Sequence, residues 1–205
     1  DLQENTYVVS DDTQECVIID CGAYFPEERQ ALVDYIKQQH LQPVHLLCTH
    51  GHFDHNFGID TVFEQYGLKP EINQGDEWLI SDISSHFKDM VGVPLKRQYP
   101  DVGHYFTPDE AVKFGSHTFT ILPTPGHTPG GVSYYCAEEK VLFSGDTLFR
   151  MSVGRTDFDK GSYTDLITSL KSVLGILLPD TTVYCGHGPI TTIGDELKYN
   201  PYLHA

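Results

Sequence analysis

Thr49-His50-Gly51-His52-Phe53-Asp54-His55, "THGHFDH", sets three histidines and an aspartate in seven residues, directly after the apolar run "VHLLC" (44–48). Neutral imidazoles and carboxylates are the side chains that bind zinc, iron and manganese at about 2.0–2.2 Å. In an extended segment alternate side chains share a face, so His50 and His52 point the same way and can grip one ion. Asp54 and His55 lie one turn on and face another direction. A second ion nearby would take them.

Three more residues share this context. His127 sits in "TPGHTPGG", Asp146 in "LFSGDTLF" and His187 in "VYCGHGP", each at or just after an apolar strand and in a glycine-flanked turn. Strand ends that each deliver a ligand to one rim are how a scaffold builds a metal site. Asp146, with two separate oxygens, could bridge two ions about 3.5–4 Å apart, a spacing that holds a hydroxide and polarises a carbonyl or phosphoryl oxygen. His40, His45, His86, His104, His117 and His204 lack the strand-end setting and read as ordinary core or surface histidines.

Outward from these motifs the chain reads as alternating strands and helices. "NTYVVS" and "CVIID" predict paired strands joined by the polar turn 10–13. "PEERQALVDYIKQQH" predicts a helix opened by Pro26 and two glutamates, with Leu32, Tyr35 and Ile36 as its buried stripe. "VHLLC" predicts a buried strand, and "FGIDTVFEQYGL" a short helix. Residues 75–110 differ: "GDEWLISDISSHFKDM" has helical spacing, and the Gly-, Pro- and aromatic-rich remainder suggests an insertion over the site. The second half returns to strands at "AVKFG", "HTFTIL", "GVSYYC", "KVLFSGD" and "TTVYCGHG". "SYTDLITSLKSVLG" and a segment from Ile193 predict helices. Two sheets with helices outside fit this order better than a doubly wound parallel sheet, in one domain over 1–205.

Composition narrows the function. With 13 basic and 29 acidic side chains the net charge is −16, which repels phosphate backbones and argues against a nucleic-acid partner. No apolar run approaches the roughly 20 residues that cross a bilayer, and no basic-then-apolar signal segment opens the chain, so no membrane partner and a cytoplasmic location are expected. The chain starts at Asp1 without a methionine, which leaves room for upstream residues, a first strand among them. Five cysteines, an odd number without a Cys-x-x-Cys, predict buried reduced thiols, with Cys21 the one to watch after Asp20. No pattern encodes an oligomeric state.

Taken together, "THGHFDH", "PGHTPGG", "SGDTLF" and "CGHGP", preceded by the strand end at Asp20, resemble the metallo-β-lactamase superfamily over nearly the whole chain. The resemblance implies an αββα sandwich with a dinuclear site along one edge. It implies that His50, His52 and His127 hold one ion, that Asp54, His55 and His187 hold the other, that Asp146 bridges them, and that Asp20 supports the metal loop. Zinc leads among the divalent ions, with iron or manganese also suited to the donors.

β-Lactamases of the superfamily typically carry a cysteine where Asp146 stands, so antibiotic hydrolysis is not expected. "NTYVV", "GDTLF" and "GRTDF" resemble the glyoxalase II-like (hydroxyacylglutathione hydrolase-like) branch, which hydrolyses thioesters. That branch proper has a C-terminal glutathione-binding region, whereas only residues 188–205 follow His187, and its usual aromatic is Asp157 here. "GRTDF", through Arg155 and Asp157, also resembles persulfide dioxygenases, which bind a single iron. "GHGPITTIG" favours the short hydrolases of the branch. The expected function is therefore hydrolysis of a small-molecule thioester by a hydroxide bridging two ions and oriented by Asp54. A mononuclear non-haem iron persulfide dioxygenase is the alternative, and a non-catalytic metal-binding module the third reading. Arg150, Arg155, Phe53, Tyr105 and Tyr163 are candidate substrate contacts, and Arg155 can equally pair with a local carboxylate such as Asp157.

Overall fold

A computed structural model describes residues 3–204. The first half runs β1 (Tyr7–Ser10), β2 (Glu15–Ile19), α1 (Pro26–Gln38), β3 (Gln42–Leu47), α2 (Ile59–Tyr66), β4 (Pro70–Ile72), α3 (Glu77–Ile80), α4 (Ile83–Val91) and β5 (His104–Tyr105). The second runs β6 (Ala111–Phe114), β7 (His117–Pro123), β8 (Val132–Cys136), β9 (Val141–Gly145), β10 (Leu148–Phe149), β11 (Ser152–Val153), α5 (Tyr163–Thr168), β12 (Thr182–Cys185), β13 (Thr191–Thr192) and α6 (Ile193–Tyr199).

Two sheets result, ordered β1-β2-β3-β4-β5 and β13-β12-β9-β8-β7-β6, with β10 and β11 forming a separate two-stranded ribbon. Strand alternation divides the apolar side chains among three layers. Ile18, Leu46 and Ile72 face outward from the first sheet onto Ile36, Ile59, Val62, Ile83 and Phe87 of its helices. Their neighbours Val17, Ile19 and Leu47 face inward and meet Val112, Phe119, Tyr134 and Phe143 of the second sheet. Leu142, Val183 and Cys185 face outward from the second sheet onto Leu166, Leu170, Leu174 and Ile193. That is the αββα sandwich. Each fully buried aliphatic contributes about 1.5–3 kcal/mol, so these layers, not the surface charge, hold the fold.

Direction matters more than layering for the site. β2 and β3 are parallel, as are β9 and β12. β7 and β9 both run antiparallel to β8, hence parallel to each other. The C-terminal ends of β2 and β3 therefore share one edge of their sheet, as do those of β7, β9 and β12.

Three expectations are refined. Tyr35 is 48% exposed, so Ile36 and half-buried Leu32 carry the buried stripe of α1. The single helical run expected from residue 75 is two helices, because Asp82 caps α4 by accepting the amide of Ser85 at 3.2 Å. The helix expected over 162–175 begins as α5 but widens into a π turn over Ser169–Leu174, where Gly175 N–H donates to Leu170 O at 2.7 Å. Strands β4, β5, β10, β11 and β13, of two or three residues each, are too short to show a period. The cysteines are all buried and free. Burial pushes the Cys21 thiol up to about 12, which keeps it protonated and unreactive. Among the described residues no helix is long and apolar enough to cross a membrane.

Candidate metal centre

The chain leaves β3 through Thr49 and delivers His50 and His52 before a short 3-10 turn, Phe53–His55, turns Asp54 and His55 to a different side. His127 arrives on the loop between β7 and β8, Asp146 from the end of β9, and His187 from the end of β12. The two sheets thus supply four and three of the seven residues, and all meet at one edge.

The donor atoms fall into overlapping groups. His50, His52 and His127 place ligand atoms within 4.8 Å of one another, as do Asp54, His55 and His187, and as do His50, His55 and Asp146. His52 Nδ1 faces His127 Nε2 at 2.9 Å, and His55 Nε2 faces His187 Nε2 at 3.2 Å. Asp146 lies between the groups, with Oδ1 3.3 Å from His55 Nε2 and Oδ2 3.4 Å from His127 Nε2 and 3.5 Å from His187 Nε2. Asp54 Oδ2 is 3.6 Å from His187 Nε2.

Neighbouring acceptors decide which nitrogen of each ring is bare. His127 Nδ1–H donates to the Arg155 carbonyl at 2.7 Å, and His187 Nδ1–H to the Gln3 carbonyl at 3.2 Å. His55 Nδ1–H donates to Asp20 Oδ2 at 2.9 Å. His50 Nδ1–H donates at 3.0 Å to Thr49 Oγ1, whose own proton goes to Asp20 Oδ2 at 2.8 Å. In each ring the Nε2 lone pair is left facing the site. His50 Nε2 and Asp146 Oδ1 are buried with no hydrogen-bond partner among the described residues. Buried lone pairs aimed at one another without protons between them fit a cation.

The electrostatics agree. Burial, then the neighbouring imidazoles, hold the His50 pKa well below its ordinary value, and burial and His127 bring His52 down to about 3. Both are bare ligands at neutral pH. Burial also opposes charge on His55, yet Asp146 and Asp20 lift its pKa well above the ordinary range. Although burial works against them, nearby histidines hold Asp54 and Asp146 below the usual carboxylate range. Carboxylates this deep require positive charge beside them, as a proton or as a metal.

Asp20 directly follows β2 with φ +54°, a left-handed conformation that aspartate tolerates. That turn lets it accept the Thr49 amide at 2.7 Å as well as the Thr49 hydroxyl and the His55 ring.

The candidate substrate contacts separate. Arg155 lies on the rim: its guanidinium pairs with both oxygens of Asp157 at 2.6 Å and stacks 4.1 Å over Phe158. Phe158 in turn meets the His52 ring edge-on at 5.1 Å. Phe53 is buried in the first sheet's outer layer against Phe57 and Phe87, so it lines that core instead of an open pocket. Tyr105 belongs to edge strand β5, where it packs beneath the same core cluster. Tyr163 is half exposed at the first turn of α5, and Arg150 is exposed between β10 and β11. His45, His104 and His117 lie outside the cluster, with Glu71, Glu110 and Asp11 as their respective carboxylate partners.

Besides the Gln3 carbonyl, sequence reasoning missed three residues and one further backbone group at this edge. Phe158 and the Arg155 carbonyl lie within "GRTDF", but nothing there marks a ring or a carbonyl as facing a ligand. Glu4, its carboxyl pushed up to about 8 by burial, sits beside Asp20 and His55 and accepts from Thr6 Oγ1 at 2.9 Å. Asp76 is fully buried where residues 75–110 begin. Neither acid stands in a recognisable motif.

Residues 1–187 match the family model of the metallo-beta-lactamase superfamily, and the chain belongs to that family, whose members are metal-dependent hydrolases. The hydroxyacylglutathione hydrolase GloC of Haemophilus influenzae is 36% identical over 209 aligned residues, covering 100% of this chain and 94% of that protein. The structure of the BLEG-1 B3 metallo-beta-lactamase superposes with a TM-score of 0.90 at 38% identity, covering 100% of this chain and 96% of that one. That of TTHA1623 in a di-iron-bound form gives 0.84 at 35%, covering 98% and 96%. The likeness to a β-lactamase at 38% identity places a β-lactam among the substrates to be tested.

Proposed function

We propose that this metallo-hydrolase cleaves a small-molecule thioester, using two divalent ions. The observation that carries the reading is the pair of donor groups sharing Asp146, set in a chain similar to GloC over its whole length. His50, His52 and His127 would hold the first ion, Asp54, His55 and His187 the second, and Asp146 both. The ions, when bound, would supply a hydroxide near neutral pH and Lewis-acid stabilisation of the oxyanion.

The chain's own residues do the rest. Asp20 fixes His55, and the Arg155 and Gln3 carbonyls fix His127 and His187. Asp54 Oδ2, 3.6 Å from His187, is the carboxylate that orients the attacking water. Phe158 walls the His52 side against solvent, and Arg155 above it, already paired with Asp157, offers its remaining donors to an acidic group on the thiol carrier.

Metal analysis of the purified protein beside a panel of S-lactoylglutathione, simpler thioesters, a chromogenic β-lactam and a glutathione persulfide tests this. Two ions per chain with thioester turnover are expected. One iron with persulfide-dependent oxygen uptake, or β-lactam turnover without thioester turnover, would overturn it.

A further inference from the structure

Asp76 stands where residues 75–110 begin and is 0% exposed. Its carboxylate accepts three hydrogen bonds from the two loops that bring His50, His52 and His127 together. Oδ2 takes the Gly51 amide at 2.9 Å and the Thr128 hydroxyl at 2.7 Å, and Oδ1 takes the Gly130 amide at 2.7 Å. Gly51 lies between His50 and His52, and Thr128 follows His127, so one side chain spans both arms of the first donor group.

The approach is close enough to demand glycine on both sides. A Cβ on Gly130 would lie 2.5 Å from the Asp76 amide nitrogen, and one on Gly51 would lie 2.7 Å from Leu79 Cβ and 2.9 Å from the Asp76 carbonyl. Burial raises the Asp76 pKa and the hydrogen bonds from Thr128, Gly51 and Gly130 oppose that rise; three donors on one buried carboxylate make a short, directional clamp. Its reach is selective. The loops carrying Asp146 and His187 make no hydrogen bond to it among the described residues, and His55 is governed by Asp20.

We propose that Asp76 is a positioning residue: its carboxylate sets the separation of the His50/His52 loop from the His127 loop, and so tunes the first ion's site independently of the second. The inference rests on the two-ion reading above.

The test uses the full chain with cobalt(II) as a visible divalent probe. Chelator competition gives the affinity of each ion, and the visible absorption reports the ligand field. Asp76→Asn keeps the shape but turns an amide donor toward donors. It is expected to weaken the first ion about 10–100-fold, shift the spectrum of the first cobalt, and leave the second ion within about threefold. Asp76→Asn that folds by circular dichroism and binds both ions as the wild type does would overturn the proposal, and so would equal weakening of both sites. Should Asp76→Asn fail to fold, Thr128→Val removes one of the three donors with little change of shape. A drop of about fivefold in first-ion affinity supports the clamp, and wild-type affinity refutes it. A wild-type chain that binds no cobalt instead refutes the two-ion reading, and is told apart by that control alone.

Discussion

Replacing Asp20 by asparagine isolates one carboxylate oxygen. Asparagine tolerates the left-handed backbone at φ +54°, so the main chain need not move. The wild-type group satisfies three donors: Oδ1 takes the Thr49 amide, and Oδ2 takes the Thr49 hydroxyl and His55 Nδ1–H. Asparagine has one oxygen. Left on the Thr49 amide, it turns its NH2 against the hydroxyl and the ring. Flipped, it leaves the Thr49 amide unpaired. Each buried donor so stranded costs about 1–3 kcal/mol, which places the metal-free variant about 2–4 kcal/mol below wild type. For a chain of this size that is a fall in Tm of roughly 5–15 °C. His55 can escape by carrying its proton on Nε2, but that nitrogen then no longer faces Asp146 and His187 as a ligand. The second ion should therefore weaken by about 10–100-fold. Thermal melts of the metal-free protein and chelator competition on the loaded protein read the two effects separately. A variant that melts within a degree of wild type and keeps the second ion at wild-type affinity would refute the tautomer argument.

Three further expectations follow from the same geometry. Asp146→Ala removes the oxygens between both donor groups, so on the proposed two-ion thioesterase reading both ions should loosen and thioester turnover should disappear. Near-normal turnover would show that Asp146 does not bridge. The hydrogen bond to Glu71 raises the His45 pKa, so its contribution is fully present below the unfolded value of about 6.5 and is lost as pH rises through the folded value. Glu71→Gln should cost about 0.5–1 kcal/mol at pH 6, the gap to wild type closing by pH 9 in urea melts. A pH-independent gap would exclude the ion pair. Tyr134→Phe removes a buried hydroxyl donating to the Cys48 carbonyl at 2.7 Å, and differential scanning calorimetry should show a loss of about 1–2 kcal/mol.

How much of this was legible in the chain depends on what each feature needs. Strand and helix positions came from local periodicity and their order pointed to two sheets with helices outside; the αββα sandwich itself came with the family resemblance, and in the structure Ile18 and its neighbours Val17 and Ile19 serve different layers. The seven cluster residues were legible because each sits at a glycine-flanked strand end. What orders them was not. The Arg155 carbonyl that fixes His127 is a backbone group, and Asp76 clamps two loops 25 and 52 residues away in sequence. Such partners are defined by where the chain returns in space. Phe53 is the converse case: inside the motif it read as a candidate pocket wall beside the commoner core placement, and the 3-10 turn puts it in the core.

The division of the cluster between the sheets has a consequence for assembly. His50, His52, Asp54 and His55 come from the first half of the chain, and His127, Asp146 and His187 from the second. Either half alone presents only a partial grip, so high affinity arises only once the sheets have docked face to face. Binding energy would then be folding energy: a bound cation would act as a clasp across the seam, and its free concentration would set how often the sandwich parts there. Scarcity of metal would therefore register as a shorter-lived protein as well as a slower one.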